Sequence, residues 1–193
     1  MKPLVAIAGP SGSGKSSAAK MLAECLGVRT IDTGQIFRQM AKEHGMGLLA
    51  FGEYAERHKE IDIELDRRLA EKMKRTRKGL VLQGRLAAWT CVKYDIPAKK
   101  FWITASAAVR AKRTVNREGG NYREVLRRMT KRDRENRDRY KATYGLDLND
   151  MKVYDSVVNT DGLTIRQTVT AIIRKLPKVW LKKLPPPTKS SKK

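Results

Sequence analysis

An octapeptide near the amino end constrains the fold of this chain more than any other feature. Residues Gly9 to Ser16 read GPSGSGKS and match the pattern GxxxxGK[ST] completely. An apolar run precedes the octapeptide and a helical pattern follows it, which is the context that the motif requires. Its glycines allow backbone N–H groups to converge on phosphate oxygens at the positive end of the next helix. The sequence therefore predicts a phosphate-binding loop (P-loop) between a strand and a helix.

The side chains of this loop have separate predicted roles. Lys15 is expected to bridge the terminal phosphates of ATP and is a candidate catalytic residue, while the Ser16 hydroxyl is expected to ligate Mg²⁺. A glycine-rich turn that fits by chance is the weaker alternative, because the flanking strand and helix are both indicated. The predicted cofactor-binding residues are Gly9, Ser11, Gly12, Ser13, Gly14, Lys15, Ser16 and Ser17.

Short apolar runs alternate with long helical patterns along the chain, which is typical of a parallel sheet covered by helices. The predicted strands are Leu4 to Ala8, Arg29 to Ile31, Leu80 to Leu82, Phe101 to Thr104 and Ser156 to Asn159. The predicted helices are Lys15 to Leu26, Gly34 to Glu43, Leu48 to Arg75, Ala107 to Arg117, Tyr122 to Tyr144 and Thr164 to Leu176. We therefore predict an α/β fold of the P-loop NTPase type, with a five-stranded parallel sheet.

The charge of the chain is unusual, because 42 Lys and Arg face 20 Asp and Glu and leave a formal charge of +22. Such a surface attracts polyanions, of which RNA is the most abundant in a cytosol. The alternative is a kinase with an incidentally basic surface. No apolar stretch is long enough for a membrane helix, nothing indicates export, and Cys25 and Cys91 have no metal-ligand spacing. We expect a cytoplasmic protein of one domain that is monomeric as a free enzyme.

Seven segments, taken in order, resemble the cytidylate kinases, most closely the archaeal kind. They are GPSGSGKS, IDTGQIFRQMAKEHGM, IDIELDRR, QGRLAAW, AAVRAKR, KRDRENRDRYKATYGLDLND and YDSVVNT. The resemblance runs from Leu4 to about Asn159, and its general pattern continues to about Leu176. It implies a kinase domain over residues 1–176 that phosphorylates CMP and dCMP with ATP and Mg²⁺. Within that domain it implies a monophosphate-binding insert at about 34–75 and a lid at about 121–145.

The resemblance also carries over residues for the acceptor side. It places Asp32, Gly34, Phe37 and Arg38 at the monophosphate site, with Arg38 on the CMP phosphate, and it adds Gly84, Arg85 and Asn136. An arginine suits this role because its guanidinium forms a bidentate fork with phosphate. Asp62 and Asp66 lie one helical turn apart, and the resemblance suggests that they lie near the nucleoside. A pair of surface carboxylates that neutralise Arg67 and Arg68 is an equally good interpretation.

The lid segment contributes cations. Arg132 and Arg139 are seven residues apart and project from one face of a helix, and the family uses this pair to enclose the phosphoryl group in transfer. The alternative is a solvent-exposed helix laced with salt bridges, which fits Arg134, Glu135 and Asp138. Arg110, with Arg113, follows the fourth strand and is expected to reach ATP or the moving phosphate.

One position departs from the family pattern. Gln83 stands before Gly84 and Arg85 where the family has a carboxylate that helps to hold hydrated Mg²⁺. Asp32, at the end of the neighbouring strand, is expected to supply the missing charge and to serve with Ser16 at the metal. Asn136 stands where bacterial relatives have Asp.

The carboxyl end has a different composition. Arg174 to Lys193 holds eight Lys or Arg in 20 residues, no acid, and three successive prolines that favour an extended chain. We interpret 177–193 as a tail, either a solubilising end or a segment that binds RNA or the ribosome, with Trp180 available to a partner. A second hypothesis for the whole chain follows, namely an RNA- or ribosome-associated factor that keeps a kinase fold with weakened or lost catalysis.

Overall fold

The computed structural model describes residues 2–76, 78–148 and 150–181. Its centre is one parallel sheet of five strands in the order β2-β3-β1-β4-β5. The strands are β1 (Leu4–Ala8), β2 (Arg29–Asp32), β3 (Leu80–Gln83), β4 (Lys99–Thr104) and β5 (Ser156–Asn159). All four pairings are parallel, so the carboxyl ends of the strands meet at one edge of the sheet. The predicted α/β fold with a five-stranded parallel sheet is confirmed.

The register of the central strands decides which side chains share that edge. Ile7 of β1 and Asp32 of β2 both lie opposite Gln83 of β3. The P-loop leaves β1 directly after this level, so the ends of β2 and β3 stand beside it. Ligands of open α/β sheets bind at this edge, and the register thus defines where a site can form.

Nine α-helices surround the sheet in the part of the chain that the structure describes. They are α1 (Lys15–Leu26), α2 (Thr33–Glu43), α3 (Leu48–Arg57), α4 (Lys59–Lys74), α5 (Ala87–Lys93), α6 (Ala107–Glu118), α7 (Tyr122–Tyr144), α8 (Ile165–Ile173) and α9 (Lys178–Leu181). A short 3₁₀ helix spans Met151–Val153. None of the described helices is long and apolar enough to cross a membrane.

Each face of the sheet carries its own core. On one face Leu82 packs with residues of α2 to α5, including Met40, Phe51 and Leu69. On the other face Ile7 and Phe101 pack with α1, α8 and α9. Burial on both faces explains why the central strands read as continuous apolar runs in the sequence.

The helices differ from prediction in three places. The segment predicted as one helix, Leu48 to Arg75, is two helices, because His58 adopts a non-helical backbone (φ −121°, ψ 85°) that ends α3 and caps α4. Helix α5 begins shortly after Gly84 and Arg85, which follow β3, and it was not predicted. Trp180 was placed in a free tail, which is wrong, since it is buried against the core of α1 and α8. The rest of the proposed tail, 182–193, lies outside the described residues.

Candidate active site

The backbone of the P-loop has a conformation that favours glycine at two positions, Gly9 and Gly14. Gly9 has a φ of 146°, and a Cβ at this position would lie 2.0 Å from the carbonyl oxygen of Ile103 in β4. Gly14 has a φ of 93° and directly precedes α1, so the amino end of that helix opens into the loop. Ser13 is fully buried and its hydroxyl donates to the Pro10 carbonyl at 2.9 Å. Ser17 lies exposed in the first turn of α1.

Lys15 lies under the loop with several charges around it. Its Nζ donates to the Pro10 carbonyl oxygen at 2.6 Å. Burial of the amine, and next the positive charge of Arg85, lower the pKa of Lys15 from 10.5 to about 7. A phosphate placed here would favour the charged amine, because opposite charges raise the pKa of an ammonium group.

Ser16 is linked to the unusual glutamine. The Ser16 hydroxyl donates to Oε1 of buried Gln83 at 3.0 Å, and the Thr33 hydroxyl donates to the Gln83 backbone carbonyl at 2.8 Å. A Cβ on Gly84 would lie 1.9 Å from the Thr33 hydroxyl, so only glycine lets these two strand ends approach. The amide oxygen of Gln83 therefore stands beside the hydroxyl that was predicted to ligate Mg²⁺.

The carboxylate of Asp32 contacts Gly34 and Arg38 of α2. Its Oδ1 accepts from the Gly34 N–H at 2.8 Å and thereby caps α2, and its Oδ2 lies 3.9 Å from Nη2 of Arg38. The side chain of Arg38 is half exposed at the mouth of the site. Phe37 is partly buried and packs its ring against Phe51 of α3, with centroids 4.9 Å apart. Capping and packing thus account for the contacts of Asp32 and Phe37.

The acidic pair of α4 is buried, which makes the surface interpretation of these residues wrong. Asp62 is 2% exposed and Asp66 is 4% exposed. Burial raises the pKa of both carboxyls. The Thr90 hydroxyl of α5 donates to Asp66 Oδ1 at 3.2 Å, and Lys93 Nζ lies 3.9 Å from its Oδ2.

The two arginines expected to be neutralised by that pair have other partners. Arg67 binds Glu64 and Glu71, whereas Arg68 binds Glu64 and Glu43. These contacts lie on exposed or part-buried surface of α4 and α2. The carboxylates of α4 thus divide into a surface set and a buried set, and only the buried set faces α5 and α7.

The long helix α7 contacts α4 through the side chain of Arg139. Nε of Arg139 lies 3.5 Å from Oδ2 of Asp62, and both atoms are buried without a hydrogen-bond partner in the described structure. Arg132 is exposed, and its backbone carbonyl accepts from the Asn136 side chain. The structure therefore brings Arg139 to α4, while the side chain of Asn136 bonds to the backbone of its own helix.

Arg85 and Arg110 meet at one carboxylate of α7. Nη1 of Arg110 lies 2.6 Å from Oδ2 of Asp133, and Nη2 of Arg85 lies 3.5 Å from Oδ1 of Asp133. Both arginines also touch Ser11 of the P-loop, Arg85 at the hydroxyl (3.1 Å) and Arg110 at the carbonyl (3.0 Å). Burial lowers the pKa of Arg85.

Arg113 is placed differently from its neighbour on α6. It donates to the hydroxyl and carbonyl of Thr160 at 2.9 and 2.7 Å. Thr160 is buried and its hydroxyl lies 3.1 Å from the Ser13 carbonyl. Arg113 thus braces the P-loop through Thr160.

Sequence reasoning missed Asp133 and Thr160. Arg137 follows Asp133 by four residues, and this spacing predicts an ordinary ion pair within one helix. The contacts of Asp133 with Arg85 and Arg110 could therefore not be predicted from the sequence. Thr160 follows β5 at the edge where the sheet ends meet, and that position was the available signal. Gln83 was noticed as a departure, but its contact with Ser16 was not foreseen.

A phosphate loop at the carboxyl edge of a five-stranded parallel sheet, with Arg85, Arg110 and Arg113 in contact with it, is the arrangement of a P-loop kinase. The fold agrees with a solved shikimate kinase from Acinetobacter baumannii in complex with shikimate. That structure has a TM-score of 0.59 at 17% identity and covers 96% of this chain and 97% of its own.

Similarity in sequence gives the family. The chain belongs to the cytidylate kinase-like family, whose model matches residues 4–162. A cytidylate kinase of Pyrococcus horikoshii is 42% identical over 82% of this chain and 80% of that protein. One from Methanocaldococcus jannaschii is 44% identical over 81% of this chain and 88% of that protein. The predicted family is thereby confirmed, and the protein is a nucleotide kinase.

Proposed function

We propose that the protein transfers the γ-phosphoryl group of ATP to CMP, and to dCMP, giving the diphosphates. The observation that carries this proposal is the contact of buried Asp62 with the partly buried side chain of Arg139, which joins the insert to α7 on the acceptor side of the P-loop. Relatives named cytidylate kinases at 42% and 44% identity support the choice of acceptor.

Catalysis in this site is positioning and charge stabilisation, without a covalent enzyme intermediate. The P-loop N–H groups and Lys15 hold the ATP phosphates, and Arg38 holds the acceptor phosphate at the mouth of the site. Arg85 and Arg110 contact the P-loop and stabilise negative charge on the group in transfer. Arg132 and Arg139 of α7 cover that group, and exclusion of water by α7 strengthens each of these interactions.

The donors near Ser16 suit Mg²⁺. This ion prefers oxygen ligands, keeps several waters and needs only one or two protein groups besides phosphate. The described residues contain no cluster of three His, Cys, Asp or Glu that could hold a metal ion. However, Ser16 Oγ and Gln83 Oε1 are two oxygen atoms 3.0 Å apart, and both can ligate a metal. They are the residues that would hold the ion, directly or through water. When bound, it would neutralise charge that develops on the phosphates.

Asp32 is a less direct contributor than the sequence indicated. Its carboxylate caps α2 and lies beside Arg38, although its charge also acts on Lys15. We propose that Asp32 orients Arg38 for the acceptor phosphate rather than ligating the metal. Asp62 and Asp66 are proposed to lie near the nucleoside, and Gly34 and Gly84 are proposed to line the acceptor site.

A coupled assay of ADP release tests the proposal with CMP, dCMP, UMP and AMP as separate acceptors. We expect turnover with CMP and dCMP and at least tenfold lower kcat/KM for UMP and AMP. Lys15→Ala should abolish turnover while the circular dichroism spectrum stays native, because this lysine acts on phosphate charge. Higher kcat/KM with UMP or AMP, or no turnover with any acceptor, would contradict it. The last outcome would favour the RNA-associated factor without catalysis, which none of the similarities supports.

A further inference from the structure

The amino ends of the strands lie at the edge of the sheet opposite the P-loop, and three cations lead into the strands there. Leu4 of β1 and Arg29 of β2 both lie opposite Leu80 of β3, so the starts of these three strands are neighbours. Lys78 precedes Leu80 by two residues, and Lys2 precedes Leu4 by two. Adjacent strands are about 4.8 Å apart. Arg29, Lys78 and Lys2 therefore form a row across the sheet.

Two helices end at the same edge and add cations on either side of this row. Helix α4 packs on one face of the sheet and ends at Lys74, shortly before β3 begins. Helix α8 packs on the other face and starts after the carboxyl end of β5. Its nine residues span about 14 Å, the length of a four-residue strand, so it ends at the amino edge. Arg174 and Lys175 follow its last residue.

We term these cations the amino-edge surface. It consists of Lys2, Arg29, Lys74, Lys78, Arg174 and Lys175. All of them are exposed except Lys2, which is partly buried. The ion pairs at this edge involve other cations, namely Arg75 with Glu71, and Lys99 and Lys100 with Asp155. The amino-edge surface thus carries charge that these acids do not neutralise.

Helix dipoles and nearby acids account for only part of this charge. A cation at the carboxyl end of a helix offsets the partial negative charge of the last carbonyl groups, which fits Lys74, Arg174 and Lys175. The three cations that lead into strands have no such role. Glu24 near the end of α1 and Asp95 before β4 are exposed acids at the same edge, and they are two against six. A surplus of positive charge remains.

The length of the strands separates the amino-edge surface from the transfer site. Lys2 and Gly9 stand at opposite ends of β1, seven residues apart, which is about 23 Å in extended chain. Phosphates held by Lys15 and Arg85 at the carboxyl edge therefore do not reach the amino-edge surface. A second anion can bind there while nucleotides occupy the site.

We propose that the amino-edge surface binds the phosphate backbone of a double-stranded nucleic acid. Its cations spread over about 20 Å, because the surface includes two helix layers and the sheet between them. One phosphate group cannot contact all of them, whereas a duplex presents phosphates on two strands. Trp180, which follows α8, is buried, and the six members include no ring on which an unpaired base could stack. Contacts to phosphates alone suit a duplex.

The charge of the whole chain agrees with such a ligand. The formal charge of +22 exceeds what a site for two nucleotides requires, and positive surfaces bind nucleic acid by releasing counterions. RNA and DNA duplexes share this chemistry, and the experiment distinguishes them.

Fluorescence anisotropy with the full chain tests the proposal, using labelled RNA and DNA duplexes of about 16 base pairs and the single RNA strand. We expect the duplexes to bind between about 50 and 200 mM salt, with a slope of log affinity against log salt of about −4.5 for five phosphates. Arg29→Gln/Lys78→Gln/Arg174→Gln should weaken duplex binding at least tenfold and reduce the slope by about 2.7. Saturating ATP and CMP should leave the affinity unchanged, because nucleotides bind at the opposite edge.

A matched control separates a defined surface from general charge. Arg57→Gln/Lys59→Gln/Arg166→Gln removes three exposed cations from the end of α3 and the starts of α4 and α8, which lie towards the carboxyl edge. This control should keep most of the affinity. The melting temperature and kinase turnover of the first triple variant should stay near those of the parent, since none of its three positions belongs to the transfer site.

Four outcomes would overturn the proposal. Equal loss in the two triple variants would show that binding follows total charge. Release of the duplex by ATP and CMP would place the nucleic acid in the transfer site. Tighter binding of the single strand would show that bases, not paired phosphates, are recognised. Binding to phosphatidylserine vesicles without binding to either duplex would assign the surface to an anionic membrane. With duplex binding established, the tighter of the two duplexes identifies RNA or DNA as the partner.

Discussion

Asp133 of α7 lies 2.6 Å from the guanidinium of Arg110 on α6, in a partly buried contact directly above the P-loop. The same carboxylate lies 3.5 Å from Arg85, which follows β3. One acid of α7 thus balances two arginines that also contact Ser11. Nucleotide phosphates carry the same sign as this acid, so they can replace it as the partner of both arginines.

Asp133→Asn should therefore destabilise the free protein more than the nucleotide-bound protein. The change removes the charge that offsets two largely buried arginines, and we expect the free energy of unfolding to fall by about 1–3 kcal/mol. With ATP present, the phosphates balance the arginines and the loss should shrink. Thermal unfolding with and without ATP measures both values. Equal losses in the two conditions would show that Asp133 does not share its partners with phosphate.

The lowered pKa of Lys15 predicts a pH-dependent effect on stability. An unfolded lysine keeps its proton up to about pH 10.5, whereas folded Lys15 releases it near pH 7. The unfolded state thus binds more protons between these values, so the cost of burying this amine is full below pH 7 and disappears towards pH 10.5. Lys15→Met should be more stable than the parent at pH 6, and this difference should shrink as the pH rises to 10.

Urea unfolding of both proteins at pH 6, 8 and 10 checks this dependence, because titrations common to the two cancel in the difference. Lys20→Met, at an exposed position of α1, is the control and should show a constant difference. A constant difference for Lys15→Met as well would mean that the amine keeps an ordinary pKa.

Arg38→Ala should weaken the use of CMP as acceptor and leave the use of ATP unchanged. Arg38 is half exposed and contacts Asp32 only at 3.9 Å, so its loss should leave the melting temperature unchanged. We expect the KM for CMP to rise about tenfold, as for a lost charge-assisted hydrogen bond, with the KM for ATP unchanged. Arg85→Ala should change both constants, because Arg85 also contacts Ser11. An effect of Arg38→Ala on ATP alone would refute the assignment.

The sequence predicted the strands well because buried parallel strands are apolar runs between clear breaks, and β1 and β5 have the predicted bounds. The P-loop was equally easy to predict, because its motif consists of consecutive residues. Asp62 and Asp66 were not, because their burial depends on α5 and α7, which are distant in sequence. The contacts of Asp133 were not predicted for the same reason, since Arg85 and Arg110 are distant from it in sequence.

Trp180→Ala should lower stability by about 3 kcal/mol, the usual cost of truncating a large buried aromatic side chain. A basic surrounding sequence suggested a free tail, but the backbone N–H of Trp180 donates to the Pro177 carbonyl at 2.9 Å, and this turn places the indole against the core. Val179→Ala is the control, since Val179 is 58% exposed and should change stability by less than about 0.5 kcal/mol. Equal melting temperatures for the two variants would contradict the packing of Trp180.

Gln83→Glu should lower the Mg²⁺ concentration needed for half-maximal turnover. A glutamate keeps the oxygen that accepts from the Ser16 hydroxyl at 3.0 Å and adds a negative charge beside the proposed ion. Gln83→Met removes that acceptor at similar volume, leaves the Ser16 hydroxyl unpaired, and should raise the Mg²⁺ requirement. Titrating Mg²⁺ at saturating ATP and CMP separates the two variants. Lower turnover in Gln83→Glu with an unchanged Mg²⁺ requirement would show instead that the site depends on the neutral amide, whose side-chain NH₂ group can donate a hydrogen bond that no carboxylate can replace.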